Sequence, residues 1–407
     1  MLTVFILFFT WTLLAVSSLG IFTVFIGYPV ILFLRLATRK RLTEKLSGSS
    51  NDLEYFPSVS IITVSHKTGN LLERKITNLN ELEYPRDSLE FIFVLDGTED
   101  KLNEVELQQQ LPGIRVKQFA TGKRKGKAFG LNQAAVNSES DILVFSDVDS
   151  LLDEEGLQYL VNHFQNPEVG GVCGQRMIRN DETALSAPQS RYLAFDNLIK
   201  FLEARVGSLT SNEGKFYAIR RCLFQPVDPA ATDDLYNCLT VVEAGYRFVF
   251  EPRALMYIAA PSRHGRHEIE RRRRIVTRSL HGIAQHRKLL NPRFAGWYAV
   301  SLFINKILRR CLPFFLIGLL LSSFILAWQS RSILILFILQ LAFYSSALVY
   351  PFSSKITMNS KLGKLFLKPF SLSAYFILGN YGTLRGVIDF LRGRRIVKWN
   401  PVKPDDD

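Results

Sequence analysis

Hydrophobic residues fall along this chain in two regimes: unbroken runs at the two ends, and short runs separated by charged or small residues in the middle. Residues 1–34 include no charged side chain. At about 1.5 Å of rise per residue, a helix of that length exceeds the ~30 Å hydrocarbon core of a bilayer. Gly20 and Gly27-Tyr28-Pro29 offer it places to bend. Residues 1–40 are therefore expected to form a retained N-terminal transmembrane anchor, because a cleaved signal peptide would want a positive n-region and a short apolar core. Two further runs, 312–328 and 332–350, are separated only by Gln329-Ser330-Arg331. Each is about one membrane thickness long, so 312–350 reads as a transmembrane hairpin. Segment 366–391 is apolar but broken by Asn380, Gly382, Arg385 and Asp389. That pattern suits an interfacial or re-entrant helix, with a full span as the alternative. Residues 295–311 mix Trp297, Tyr298 and Phe303 with Lys306, Arg309 and Arg310, as a helix lying at headgroup level does.

The middle, 55–290, is patterned as an α/β domain. Residues 59–64 (VSIITV) and 91–95 (FIFVL) are short strand-like runs with a helix-like stretch, 71–82, between them. An Ala-rich helix over 126–136 precedes a third run, 141–145 (DILVF). Such alternation predicts a mostly parallel, Rossmann-like sheet with helices on both faces, whose ligands bind beyond the carboxyl ends of the strands. Asp96 follows the second run and Ser146-Asp147-Val148-Asp149 the third. One crevice is expected to hold both.

Charge adds a topology. Lys and Arg total 50 against 37 Asp and Glu, a formal net charge of +13. Arg35, Arg39, Lys40, Arg41 and Lys45 begin where the first apolar run stops; Lys355, Lys361, Lys364 and Lys368 follow a hairpin whose tip carries only Arg331. The positive-inside rule thus puts the middle domain in the cytosol of a multi-pass protein of the cell (inner) membrane. Because the basic excess lies beside apolar segments, lipid headgroups are the expected counter-charge and nucleic acid is not an expected partner. The tail, 392–407, is basic and then acidic. Cys173, Cys222, Cys238 and Cys311 have no metal-ligand spacing and read as reduced, packed residues. His264 and His267 are too few to argue a metal site.

Candidate chemistry starts at the third strand. Asp147 and Asp149, one residue apart at the end of a buried strand, repel each other unless a cation or hydrogen bonds compensate. Mg²⁺ or Mn²⁺, shared with substrate phosphates, is the natural compensator. Alone, an Asp-x-Asp triplet also suits a solvated turn or a helix cap. Asp96 could accept hydrogen bonds from a nucleotide base or ribose, or simply serve an Asp-Gly turn. Lys123, Arg124, Lys125 and Lys127 surround Gly126 just before a helix start. That arrangement favours phosphate, and its bland counterpart is a solvated basic loop.

Further on, Ser211-Asn212-Glu213-Gly214-Lys215 leads into FYAIRR (216–221), followed by Thr232-Asp233-Asp234 and GYRFVFEP (245–252). In order and spacing, 57–281 resembles the family-2 glycosyltransferases, inverting GT-A enzymes that include cellulose, chitin and hyaluronan synthases and many single-addition transferases of bacterial surface polysaccharides. The likeness extends loosely to Arg392-Gly393-Arg394-Arg395 and Trp399-Asn400-Pro401. It implies an α/β GT-A domain flanked by transmembrane and interfacial helices. It further implies that Asp96 contacts the nucleotide, that Gly126, Lys127 and Asn132 form the donor-side Gly-Lys-Ala-x-x-x-Asn element, and that Asp147 and Asp149 bind metal and diphosphate. Asp234, last in the Thr/Gly-Glu/Asp-Asp element, is the implied catalytic base. Two departures stand out: His66-Lys67 replaces the common Asn-Glu, and Arg271-Arg272-Arg273-Arg274-Ile275 stands where processive synthases carry Gln-x-x-Arg-Trp. Of that motif Arg274 alone matches in type, as a candidate donor-binding cation.

The expectation is a metal-dependent inverting glycosyltransferase. It would move a hexosyl or N-acetylhexosaminyl group from a nucleotide-sugar, a UDP-sugar foremost, to a lipid-linked or growing saccharide acceptor at the cytoplasmic membrane face. Loss of the Gln and Trp favours single addition over a processive polysaccharide synthase of the same family. Two other classes stay open. A non-catalytic nucleotide- or glycan-binding membrane regulator is disfavoured by the retained acids. A small transporter is disfavoured because the hairpin offers only Gln329, Arg331 and Gln340 as strongly polar residues.

Overall fold

The computed structural model describes residues 1–38, 55–66, 69–98, 103–178, 186–258, 265–357 and 361–397. Arg39 to Lys45, Lys67, His264, Trp399-Asn400-Pro401, the acidic end and the side chains of Lys355, Lys361, Lys364 and Lys368 lie outside the described residues.

The three strand-like runs of the middle domain become β1 (Val59–Ser65), buried but for the half-buried Val64, and the fully buried β2 (Leu89–Leu95) and β4 (Ile142–Ser146). Near-continuous apolar strands of this kind are what a sheet covered on both faces requires. With β3 (Arg115–Ala120), β5 (Leu151–Leu152), β6 (Val169–Ile178), β7 (Phe216–Arg220) and β8 (Arg247–Ile258) they form one sheet of order β3-β2-β1-β4-β7-β6-β8-β5. The block β3-β2-β1-β4 is parallel throughout, as the alternating pattern predicts. Beyond it the sheet is mixed: β7 runs antiparallel to both β4 and β6, while β6 and β8 are parallel. Antiparallel pairing puts the first residue of β7, Phe216, opposite Ser146, the last of β4. The segment before β7 is thereby delivered to the carboxyl edge of the parallel block.

In chain order the helices are α1 (Leu2–Phe22), α2 (Tyr28–Thr38), α3 (Leu71–Asn80), α4 (Glu104–Gln110), α5 (Lys127–Val136), α6 (Gly156–Asn162), α7 (Ser186–Val206), α8 (Asp233–Glu243), α9 (Gly265–Gln285) and α10 (Pro292–Ala295). α11 (Trp297–Leu302), α12 (Leu312–Leu326), α13 (Arg331–Thr357) and α14 (Lys361–Leu391) follow. α5 lies tightly on β1 and β2 because Gly130 has no side chain. A Cβ there would fall 2.7 Å from Val64 and 3.2 Å from Val94.

Among the described residues three helical runs are long and apolar enough to cross a membrane: Thr3–Thr38, Trp297–Leu326 and Arg331–Leu348. The first continues through a π-helical turn, Thr23–Gly27, where the sequence offered a bend. In the second, the amphipathic stretch and the first hairpin arm are parts of one run, joined through a π turn (Phe303–Ile307) and a 3₁₀ turn (Leu308–Cys311) that carry Lys306, Arg309 and Arg310. α14 lies along α9. A Cβ on Gly382 would stand 2.8 Å from the Ile269 carbonyl, and one on Gly386 2.7 Å from that of Arg273. The polar residues that interrupt α14 face the same helix, with Arg385 pairing to Glu270 at 2.7 Å and Asp389 to Arg273.

The anchor is bolted to the domain through a buried carboxyl. The Tyr28 hydroxyl donates to Glu203 at 2.5 Å, and Asn305 Nδ2 donates to the same carboxyl at 3.0 Å. The Arg35 guanidinium stacks over the Trp297 ring at 4.1 Å. All four cysteines are unpaired; Cys173 and Cys238 are buried, but Cys222 is exposed and so departs from the packed role expected of it.

Candidate active site

The carboxyl edge of β1, β2 and β4 gathers the acids and bases that the sequence singled out. The Asp147–Asp149 turn is closed by the Ser150 N–H donating to the Asp147 carbonyl at 3.1 Å. Lys127, in the first turn of α5, bridges two elements: its ammonium is 2.9 Å from Asp147 Oδ1 and 2.9 Å from Asp233 Oδ2. Lys215, delivered by β7, donates to both Asp149 oxygens at 2.7 Å. Its ammonium is also 4.0 Å from Asp147 Oδ2.

Asp233 and Asp234 open α8, with Thr232 as its N-cap residue. Carboxylates in a first turn meet the positive end of the helix dipole. Gly214 presses against Asp234, since a Cβ there would lie 3.0 Å from Oδ2. Only a residue without a side chain leaves that carboxyl room.

Electrostatics separate the members of this cluster. Burial pushes the Asp234 carboxyl above the ordinary carboxylate range, and neighbouring Asp233 pushes the same way. Asp147 goes down: burial opposes its charge, but Lys127 and Lys215 outweigh it. Lys127 goes up for the reciprocal reason, its burial more than offset by Asp147 and Asp233. Arg274 is brought down to about 9 by burial and by Arg278 and Arg271 beside it, with Asp233 and Asp147 pulling back. Of the four consecutive arginines it is the one coupled to these acids. Arg271 and Arg272 bind Glu268 at 2.9 and 2.8 Å, and Arg273 goes to Asp389. One turn further along α9, Arg278 donates to the Ala231 carbonyl just ahead of α8.

Asp96 and Asn132 are used differently. Asp96 is 4% exposed. Its Oδ1 accepts from the Lys125 N–H at 2.8 Å and the Thr121 hydroxyl at 3.0 Å, and its Oδ2 accepts from the Gly126 N–H at 2.9 Å. This carboxyl pins the basic loop to β2 and fixes Gly126, whose φ of +96° favours glycine, as the residue before α5. Asn132 bonds both backbone groups of Val227, at 2.8 and 3.1 Å, tying α5 to the segment that leads into α8. It therefore braces the site from behind.

Two lysines that meet the acidic turn were given no role in the sequence reading. Lys215 lies outside any element predicted there, and only the antiparallel direction of β7 brings it to Asp149. Lys75 is wholly buried on α3 and donates to Ser146 Oγ at 2.7 Å and to the Ser150 carbonyl at 2.8 Å. Burial brings its ammonium down to about 7 while Asp147 and Asp149 pull it up. Its signal was present: Lys75 falls on the same stripe as Leu72, Ile76 and Leu79, all buried.

The donor set suits a hard divalent cation, since Asp147 and Asp149 offer oxygen ligands and Asp149 is the more open, 45% exposed at the side chain against 26%. Among the described residues no group of three or more His, Cys, Asp and Glu could hold a metal. The site therefore fits a cation that completes its shell with phosphate oxygens and water, and does not fit an all-protein cage.

Residues 60–227, which include Asp96, Lys127, Asp147, Asp149 and Lys215, match the family described as Glycosyl transferase family 2. Residues 60–227 are thus similar to glycosyl transferase family 2 domains over less than half of the chain. Its similarity to poly-beta-1,6-N-acetyl-D-glucosamine synthase of Staphylococcus aureus strain MSSA476 is 24% identity over 234 residues, covering 56% of this chain and 55% of that protein. The Staphylococcus epidermidis counterpart is 24% identical over 213 residues, 51% of each chain. The chain thus matches about half the length of these curated relatives. A mannosyltransferase of Pyrobaculum calidifontis, solved with GDP-Man and Mn²⁺, superposes with a TM-score of 0.64 at 20% identity, covering 93% of this chain and 99% of that one. That likeness concerns the fold, which is GT-A: a mixed, mostly parallel Rossmann-like sheet flanked by apolar helices. The family-2 match ends before Asp233 and Asp234, but α8 carries both back to the Asp147 side through Lys127.

Proposed function

We propose that this chain is a membrane-embedded inverting glycosyltransferase that moves a sugar from a nucleoside diphosphate sugar to a lipid-linked or saccharide acceptor at the cytoplasmic face of the membrane. The observation that carries this reading is the junction at Lys127, where one ammonium holds Asp147 of the β4 turn and Asp233 of α8 at 2.9 Å each. It joins a candidate diphosphate site to a candidate base within one crevice.

In this reading Asp147 and Asp149 hold Mg²⁺ or Mn²⁺, which when bound neutralises the diphosphate as a leaving group. Lys127, Lys215 and Arg274 supply further positive charge to the same phosphates. Asp96 acts on the donor through the loop it pins, setting the backbone beside the nucleotide. Asp234 takes the proton of the acceptor hydroxyl as that oxygen attacks the anomeric carbon. Its raised affinity for a proton makes it a better proton acceptor than an ordinary carboxylate. The apolar runs and the basic segments beside them support a multi-pass chain whose domain faces the cytosol.

A processive synthase is the second reading, favoured by the similarity to the staphylococcal poly-beta-1,6-N-acetyl-D-glucosamine synthases. The arginines at 271–274 in place of Gln-x-x-Arg-Trp favour single addition. Purified protein in nanodiscs, presented with a panel of UDP- and GDP-sugars and Mn²⁺ or Mg²⁺, is expected to release nucleotide from one donor and to stop on chelation. Product length then separates one addition from many. No release from any donor, with or without lipid extract, would contradict the reading.

A further inference from the structure

We propose that Lys75 and Asn78 of α3 are positioning residues that hold the Asp147–Asp149 pair in the geometry its cation and diphosphate require. This rests on the donor-site reading above. Lys75 is 0% exposed, and a wholly buried ammonium is costly unless its surroundings compensate. Its two hydrogen-bond partners are neutral, and they bracket the acidic turn: Ser146 Oγ immediately before it at 2.7 Å, and the Ser150 carbonyl immediately after it at 2.8 Å. Three residues along the same helix, Asn78 grips the next part of the segment. Its Oδ1 accepts from the Leu152 N–H at 2.7 Å and its Nδ2 donates to the Leu152 carbonyl at 2.7 Å. One helix thus fixes 146–152 at both flanks of the turn from beneath, while Asp147 and Asp149 meet Lys127 and Lys215 from above. The core could have filled the Lys75 position with an apolar chain of like volume. A lysine there adds two fixed bonds to the turn that no apolar chain could make.

The test uses the full chain in nanodiscs with Lys75→Met, which keeps volume, and Asn78→Ala. The readouts are calorimetric binding of UDP and GDP over a Mn²⁺ titration, the thermal melt, and kcat against KM for the donor identified above. Loss of a residue that orients metal ligands costs about 10- to 100-fold in metal affinity. Lys75→Met is expected to raise the half-saturating Mn²⁺ by that factor, recover much of its kcat at high Mn²⁺ and leave the acceptor KM unchanged. Asn78→Ala, which removes both Leu152 hydrogen bonds, moves the same way by about tenfold or less, and decides the matter should Lys75→Met fail to fold. Folded variants whose Mn²⁺ and nucleotide affinities equal wild type would overturn the clamp alone. Wild-type protein that binds neither nucleotide would overturn the donor-site reading and the clamp with it.

Discussion

Two acidic positions face the same crevice and are built in opposite ways. Asp96, at the end of β2, is buried and spends both oxygens on backbone N–H groups and a hydroxyl of the loop that follows β3. Asp147 and Asp149, at the end of β4, are partly open and are met by the ammonium groups of two lysine side chains. Backbone partners cannot leave without unfolding the loop; lysine partners can swing away and yield to another cation. The same residue type at the ends of two strands is therefore held by backbone in one case and by side chains alone in the other.

Substitutions can break that contrast. Of the two positions the larger effect is expected at Asp149→Asn, which should weaken Mn²⁺-dependent nucleotide binding by about 10- to 100-fold while leaving the thermal melt in place, as calorimetry and differential scanning together would record. Asp96→Asn should do the reverse. Its amide cannot accept every bond the carboxylate accepts, which costs about 1–3 kcal/mol of stability, visible in the melt. Donor KM should follow only as far as the loop loosens. A raised donor KM with an unchanged melt would instead assign Asp96 a direct nucleotide contact.

A subtler effect concerns pH. Asp234 is active as a base only when ionised, and its proton affinity is raised by burial and by Asp233. The rate should therefore fall on the acid side at a pH above the usual carboxylate range. Asp233→Asn removes one like charge, so the acid limb of kcat/KM should move to lower pH. A limb that stays put, or moves upward, would detach Asp234 from the profile.

Much of the parallel block was readable because β1, β2 and β4 are buried on both faces and so appear as uninterrupted apolar runs ending at Asp96 and Asp147. Direction was not readable for β7. FYAIR has the same composition whichever way it pairs, and its antiparallel register alone delivers Gly214 and Lys215 to the crevice. Lys75 and Asn78 were legible only in part: polar residues stood on the apolar stripe of α3, but their partners lie about 70 residues away, as 75 for Lys75 to Ser150 and 74 for Asn78 to Leu152. At the membrane side, the charges of α14 looked like interruptions because their partners, Glu270 and Arg273, belong to another helix.

The most direct test of the account is the rate of nucleotide release by Asp234→Asn at saturating donor and acceptor. A loss of about 100- to 10,000-fold, the usual contribution of a general base, with donor binding unchanged, is the predicted result. Release at the wild-type rate would remove Asp234 from the chemistry and contradict the mechanism proposed for this crevice.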